Sequence, residues 1–268
     1  MQFKVSDLNI IEQIAIKAGQ AIMDIYINDF EVIKKTDQSP LTLADLAANQ
    51  VIIEDLQSYY PDIPILSEEA VESFKGTNPN GQYWLVDPLD GTKEFVKRND
   101  EFTVNIALIH KGVPILGVVY APALDLMYSA IEGGGAFKQS TGAQKQSIHI
   151  NQHPVEPIKI VGSRSHSDDN LTLWLKRFTD YVMLPMGSSL KICLVAEGKA
   201  DIYPRLGPTS LWDTAAGHIV LKEAGGNLIQ LTGKELNYNT TKDLLNPFFV
   251  AVGCSSLYVG NDNTFFNK

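Results

Sequence analysis

Apolar positions recur along the chain at two periods. Ile11, Ile14, Ala15, Ala18, Ile22, Ile25 and Tyr26 follow three- and four-residue spacing, which predicts an amphipathic helix with Ser6 or Asp7 at its N-cap. Ser39-Pro40 breaks this pattern. A second helix is expected from about Thr42, with Ala44, Ala48, Val51, Ile52 and Leu56 on its apolar stripe and Pro61 beyond its end. Asp45 then falls in the first turn or so, where the helix dipole favours a carboxylate. The pattern next shortens into β-like runs at 63–66, 83–86, 102–109, 113–120 and 126–131. Gly133-Gly134-Gly135 closes the last run; with no G-x-x-x-x-G-K-[ST] string, it reads as a turn.

After His153-Pro154 and Pro157 the character changes. Strands are expected at 158–161, 181–184, 200–203, 227–231 and 248–252, and helices at 168–178, 188–197 and 212–224. The last helix meets Gly225-Gly226, a suitable left-handed cap. A strand-rich block followed by alternating elements predicts an α+β half, residues 1–153, packed on an α/β half, residues 154–268. The junction is too short to be a tether, so the halves should share an interface and form one catalytic unit.

Composition narrows the function. The chain has 268 residues, 44% hydrophobic and 20% charged, enough to bury a core without staples. Its 22 basic and 31 acidic residues give a net charge of −9, which disfavours a nucleic-acid partner. A small anion remains compatible if bound cations reverse the local field. The two cysteines, Cys193 and Cys254, are too few for a disulfide framework. The five histidines show no i, i+4 pair, so zinc is not indicated. Charges at Lys4, Asp7, Glu12 and Lys17 interrupt the start of the chain, and no run reaches membrane-spanning length. The cytoplasm is the expected compartment.

Chemistry concentrates in Trp84-Leu85-Val86-Asp87-Pro88-Leu89-Asp90-Gly91-Thr92. An apolar strand runs into two carboxylates on a proline-stiffened turn, and Gly-Thr then opens a helix. Hard cations need such oxygen ligands, including a backbone carbonyl such as that of Leu89. Gly91 would let a phosphate approach the N–H groups that follow. Asp213, in Trp212-Asp213-Thr214-Ala215-Ala216-Gly217, is expected at a helix start as an N-cap or a further ligand. Ser67-Glu68-Glu69 follows a strand end, where Glu68 is the better placed of the two glutamates to enter a cleft.

Together these strings resemble the inositol monophosphatase superfamily, marked by D-P-[LI]-D-G-[TS] and W-D-x-A-A-G. Ser39-Pro40-Leu41-Thr42, Leu66-Ser67-Glu68-Glu69, Asp90-Gly91-Thr92-Lys93-Glu94-Phe95, Gly187-Ser188-Ser189-Leu190-Lys191, Leu194-Val195-Ala196-Glu197-Gly198 and Tyr203-Pro204-Arg205 are similar to its CysQ-type 3′(2′),5′-bisphosphate nucleotidases. The similarity spans roughly residues 8–252. It implies a layered α-β-α-β-α sandwich and a phosphomonoesterase using two or three Mg²⁺ ions, inhibited by Li⁺. One ion would be held by Glu68, Asp87 and the Leu89 carbonyl, another by Asp87, Asp90 and Asp213. Asp45 and Thr92 would orient and help deprotonate the attacking water, with no covalent intermediate.

The resemblance further implies adenosine 3′,5′-bisphosphate as substrate, AMP and phosphate as products, and a place in sulfur assimilation. Asp90, Gly91, Thr92 and Asp213 would then face the scissile phosphate. Ser188, Lys191 and Arg205 would lie on the 5′-phosphate side and His166 near the adenosine. It carries with it peripheral association with the cytoplasmic face of the inner membrane, although the sequence shows no amphipathic basic segment. Two alternatives stay open: a phosphatase of inositol or sugar phosphates, and a non-catalytic bisphosphate sensor. Lys93-Glu94, Lys191 and Arg205 favour the nucleotide, and retention of Asp90, Thr92 and Asp213 favours catalysis.

Overall fold

The structure is a computed structural model that describes residues 3–28, 32–34, 40–163, 169–239, 243–254 and 257. In chain order it runs α1 (Val5–Tyr26), β1 (Val32–Lys34), β2 (Pro40–Thr42), α2 (Leu43–Tyr59), β3 (Ile65–Ser67), β4 (Gln82–Asp90), α3 (Thr92–Val96), β5 (Thr103–His110), β6 (Val113–Ala121), β7 (Leu126–Ile131), β8 (Gly135–Gln139) and β9 (Gln146–Ser147). It continues with β10 (Ile158–Gly162), α4 (Asp169–Leu175), β11 (Tyr181–Pro185), α5 (Leu190–Ala196), β12 (Ile202–Arg205), α6 (Ala215–Glu223), β13 (Asn227–Gln230) and β14 (Phe249–Val252).

Strand alternation builds five layers. A seven-stranded sheet, ordered β3 through β9, sends Trp84, Val86, Val104, Ile106, Leu108 and Val118 to one face, where they bury the apolar stripes of α1 and α2. Its other face presents Tyr83, Leu85, Ala107, Ile109 and Val119 to α5 and α6. Beneath those helices lies a five-stranded sheet ordered β11-β10-β12-β14-β13, contributing Val161, Tyr203, Leu228 and Ala251 to the same cluster. Ile158, Ile160, Ile202 and Val250 face the opposite way and bury Trp174 and Leu175 of α4. This is the expected α-β-α-β-α sandwich. At Gly117 of β6 an added Cβ would stand 2.8 Å from the Ala216 carbonyl oxygen, so glycine lets α6 lie directly on the sheet. Among the described residues, no helix is long and apolar enough to cross a membrane.

Three local readings need correction. The N-cap of α1 is Lys4, and Asp7 lies inside the first turn, where its Oδ2 accepts the Lys4 N–H at 2.8 Å. β4 continues through Asp87-Pro88 instead of turning there. Asp87 pairs with Asn105 and Asp90 with Thr103, so one extra residue is bulged out. Pro88 has no N–H to give β5, and the Leu89 N–H goes to Asp87 Oδ1 at 3.1 Å. Finally, α6 begins at Ala215 with Thr214 as N-cap, which leaves Asp213 just outside the helix with its carboxylate on the Ser210 N–H.

Candidate active site

The bulge in β4, the residue that follows β3 and the residues before α6 meet beside the larger sheet. One carboxylate oxygen each from Glu68, Asp87 and Asp213 lie within 4.8 Å of one another. Asp87 is buried, and burial followed by the Glu68 charge holds its carboxyl well above the usual aspartate range. Burial, then Asp90 and Glu68, push Asp213 up in the same way. Such mutually repelling oxygen donors suit a hard divalent cation, and no nitrogen or sulfur ligand is among them.

Asp90 stands outside this triangle. Its Oδ2 accepts the Ser189 N–H at 2.5 Å, and Thr103 Oγ1 lies 3.5 Å away. Burial raises its pKa, opposed by the Lys191 charge and the Ser189 N–H. Gly91 follows at φ +88° as the N-cap of α3, a conformation that side chains with a Cβ avoid. An added Cβ there would also stand 3.1 Å from the Glu101 carbonyl oxygen.

Asp45 is buried at the start of α2. Its Oδ2 accepts from the Thr42 N–H at 2.8 Å and the Thr42 hydroxyl at 2.7 Å. Its Oδ1 faces Thr92 Oγ1 at 3.3 Å, and the same hydroxyl is 3.3 Å from the Leu89 carbonyl oxygen. The cap of α2 thus delivers one carboxylate to the threonine that opens α3, 47 residues away.

Asp90 and Asp213 also line a pocket with Ser188, Lys191, Tyr203 and Arg205. Lys191 is buried, donates to the Ser188 carbonyl at 2.6 Å, and lies 5.5 Å from the centroid of the Tyr203 ring. Burial lowers its pKa, partly opposed by Asp90. Arg205 donates through Nε to the Thr209 hydroxyl and through Nη2 to the Pro208 carbonyl at 2.6 Å. Ser188 takes φ +48°, a strained value for a residue with a Cβ. His166 lies outside the described residues.

Glu101, Thr103 and Asn105 carry no motif signal, and Ser189 lies in the Gly187-Ser188-Ser189-Leu190-Lys191 string, which assigns it no role. Ser189 Oγ donates to Asn105 Oδ1 at 2.8 Å and accepts from Thr103 Oγ1 at 2.8 Å, joining α5 to the first sheet beside Asp90. Buried Glu101 accepts the Gly187 N–H at 2.7 Å. Both join 101–105 to 187–189, segments that no sequence period pairs.

A five-layer sandwich with a carboxylate cluster between its larger sheet and the start of α6 defines a metal-assisted phosphatase fold, and the chain belongs to the inositol monophosphatase family, whose model matches residues 5–252. Enzymes of this family use divalent metals, and the acidic cluster is present here. The chain is 52% identical to the 3′(2′),5′-bisphosphate nucleotidase CysQ of Salmonella typhimurium, over 88% of this chain and 96% of that one. Identity to the CysQ of Escherichia coli K12 is 50% over the same shares. The crystal structure of CysQ from Bacteroides thetaiotaomicron superposes with a TM-score of 0.79 at 39% identity, covering 92% of this chain and 97% of that one. An IMPase of Thermotoga maritima gives 0.73 at 29% identity, covering 94% and 92%.

The cluster has a consequence for stability. Asp87, Asp90 and Asp213 have folded-state pKa values above the ordinary aspartate value of 3.8. Ionising them costs more in the folded protein than in the unfolded one. Their contribution is therefore fully favourable below about 3.8 and is lost as pH rises through the raised folded values. In a chelator, wild-type melting temperature should fall relative to Asp87→Asn as pH rises across that window. Saturating divalent cation should reverse the order. Parallel melting curves with and without cation would contradict the cluster.

Proposed function

We propose that the chain hydrolyses the 3′-phosphate of adenosine 3′,5′-bisphosphate, releasing AMP and phosphate, with Mg²⁺ as the cation and sulfur assimilation as its setting. One observation carries this reading: Asp90 and Asp213 belong both to the acidic site and to the wall of a pocket that holds Lys191 and Arg205. One phosphate can sit at the carboxylate side while a second meets the cations. The names of the CysQ relatives agree with it.

In this reading Glu68, Asp87, the Leu89 carbonyl, Asp90 and Asp213 hold two or three ions. When bound, the ions activate water and stabilise the departing ribose oxygen. Thr92 Oγ1 takes a proton from the attacking water while its own proton passes to Asp45 Oδ1, the departing ribose oxygen takes up a proton from solvent, and Asp45 releases its proton to solvent afterwards. Asp45 keeps its orientation through the two Thr42 bonds. Gly91 leaves the backbone open to the phosphate, Ser188, Lys191 and Arg205 receive the second one, and His166 lies by the adenosine. We take residues 1–153 and 154–268 as two halves of one catalytic unit, and the cytoplasm as its compartment. No feature of the described residues supports attachment to a membrane.

Arg205 tests the substrate. A hydrogen bond to a charged group is worth about 1.5–3 kcal/mol, so Arg205→Ala should lower kcat/KM for the bisphosphate roughly 10- to 150-fold. Activity on a small monophosphate should be spared, and Arg205→Lys should recover only part, because lysine lacks the planar fork. Equal losses on both substrates would assign Arg205 to holding the Thr209 turn alone.

A further inference from the structure

The chain segment 209–214 serves both sides of the proposed site at once. Thr209 supplies the hydroxyl that receives Arg205 Nε. Ser210 supplies the N–H that holds Asp213 Oδ2 at 2.9 Å. Thr214 then stands at the N-cap position of α6. One residue from a distant loop braces all three. The Asn246 backbone N–H donates to the Thr209 carbonyl at 2.8 Å, and its Nδ2 donates to the Ser210 carbonyl at 2.7 Å and to Thr214 Oγ1 at 3.1 Å.

The amide orientation is fixed by these partners. Turning it over would set oxygen against the Ser210 carbonyl and lose that bond. Asn246 is 7% exposed, and its Oδ1 has no hydrogen-bond partner. Burying an unpaired amide oxygen costs stability, which the bonds that Nδ2 makes to the Ser210 carbonyl and Thr214 Oγ1 offset. What the asparagine adds is two directed donors. From the other side, the Tyr238 hydroxyl meets Thr214 Oγ1 at 3.1 Å, with His218 Nδ1 behind it at 3.1 Å. Thr214 is thus held between two elements, and Asp213 is its chain neighbour.

We propose that Asn246 is a positioning residue that holds the 209–214 segment in one shape, so that cation affinity at Asp213 and selection of a second phosphate at Arg205 are set together. This rests on the function proposed above. It acts through the segment and touches neither ion nor substrate.

The test compares wild type, Asn246→Ala and Asn246→Asp, the last keeping the side-chain shape while removing both donors. Calorimetric Mg²⁺ titration of the chelator-treated proteins should show dissociation constants raised about tenfold in both variants, as expected when support of a ligand is lost. Preference for adenosine bisphosphate over a small monophosphate should fall by at least about threefold, on the order of half a hydrogen bond's worth. In an Arg205→Ala background, Asn246→Asp should still weaken Mg²⁺ binding but leave the preference unchanged. Wild-type Mg²⁺ affinity and preference in Asn246→Asp, with or without a lower melting temperature, would overturn the proposal. Should Asn246→Ala not fold, the aspartate variant decides alone. Should neither fold, Thr209→Ala and Thr214→Val decide in their place: the first should lower the preference only, the second Mg²⁺ affinity only, and wild-type values in both would overturn the proposal. A wild-type protein that binds no Mg²⁺ would overturn the functional reading itself, which separates the two failures.

Discussion

Asp90→Asn is expected to lower kcat by at least about two orders of magnitude, roughly 2.7 kcal/mol of transition-state stabilisation. The substitution keeps volume, and the amide oxygen can still accept the Ser189 N–H that Asp90 Oδ2 now holds at 2.5 Å. What disappears is one negative charge beside Glu68, Asp87 and Asp213. The fold should survive and gain stability in chelator, because burial and neighbouring carboxylates already push Asp90 up. Steady-state kinetics at saturating Mg²⁺, with melting curves in chelator, check both halves. Near-wild-type turnover would remove Asp90 from the site.

Asp45→Asn and Thr92→Ala form the second large effect. If Thr92 only opened α3, its loss would cost about 1 kcal/mol of stability and little rate. In the proposed role the hydroxyl must lose its proton toward Asp45 Oδ1, 3.3 Å away, as it takes one from water. Each single variant should therefore depress kcat by at least about tenfold with little change in KM, and the double variant should fall hardly further. Thr92→Ser keeps the hydroxyl and should retain most of the rate. Independent, multiplying losses would separate the two residues. Asp45→Asn should also weaken the α2 cap, since Asp45 Oδ2 holds both Thr42 donors, so melting curves must accompany the kinetics.

Much of this was legible in the chain because the decisive groups are close in sequence or repeat with a period. Asp87, Leu89, Asp90, Gly91 and Thr92 lie on one short string, and a two-residue alternation such as Trp84/Val86 against Tyr83/Leu85 separates the two faces of β4. The stripes of α1 and α2 give the outer helical layer in the same way. What was not legible depends on tertiary pairing. The bulge at Pro88 follows from how β5 registers against β4, and a proline reads equally as a turn. β8 opens on Gly135 and contains lysine and glutamine, so its strand character comes from pairing with β7. Ser189, Glu101 and Asn246 are single polar residues whose roles arise only when loops meet. Asp213 is legible as a further ligand, and it does join Glu68 and Asp87, but its place relative to the helix is not: its carboxylate binds the Ser210 N–H one residue ahead of the Thr214 cap.

Phosphate release from adenosine 3′,5′-bisphosphate, inositol 1-phosphate and fructose 1,6-bisphosphate, each with and without Mg²⁺, tests the central claim most directly. A nucleotidase with a divalent cluster at Glu68, Asp87, Asp90 and Asp213 and a second anion site at Lys191 and Arg205 should release phosphate from the adenosine bisphosphate with the highest kcat/KM, leave AMP as the nucleotide product, and do neither in chelator. Comparable or higher kcat/KM on inositol 1-phosphate, or release that persists without divalent cation, would contradict it.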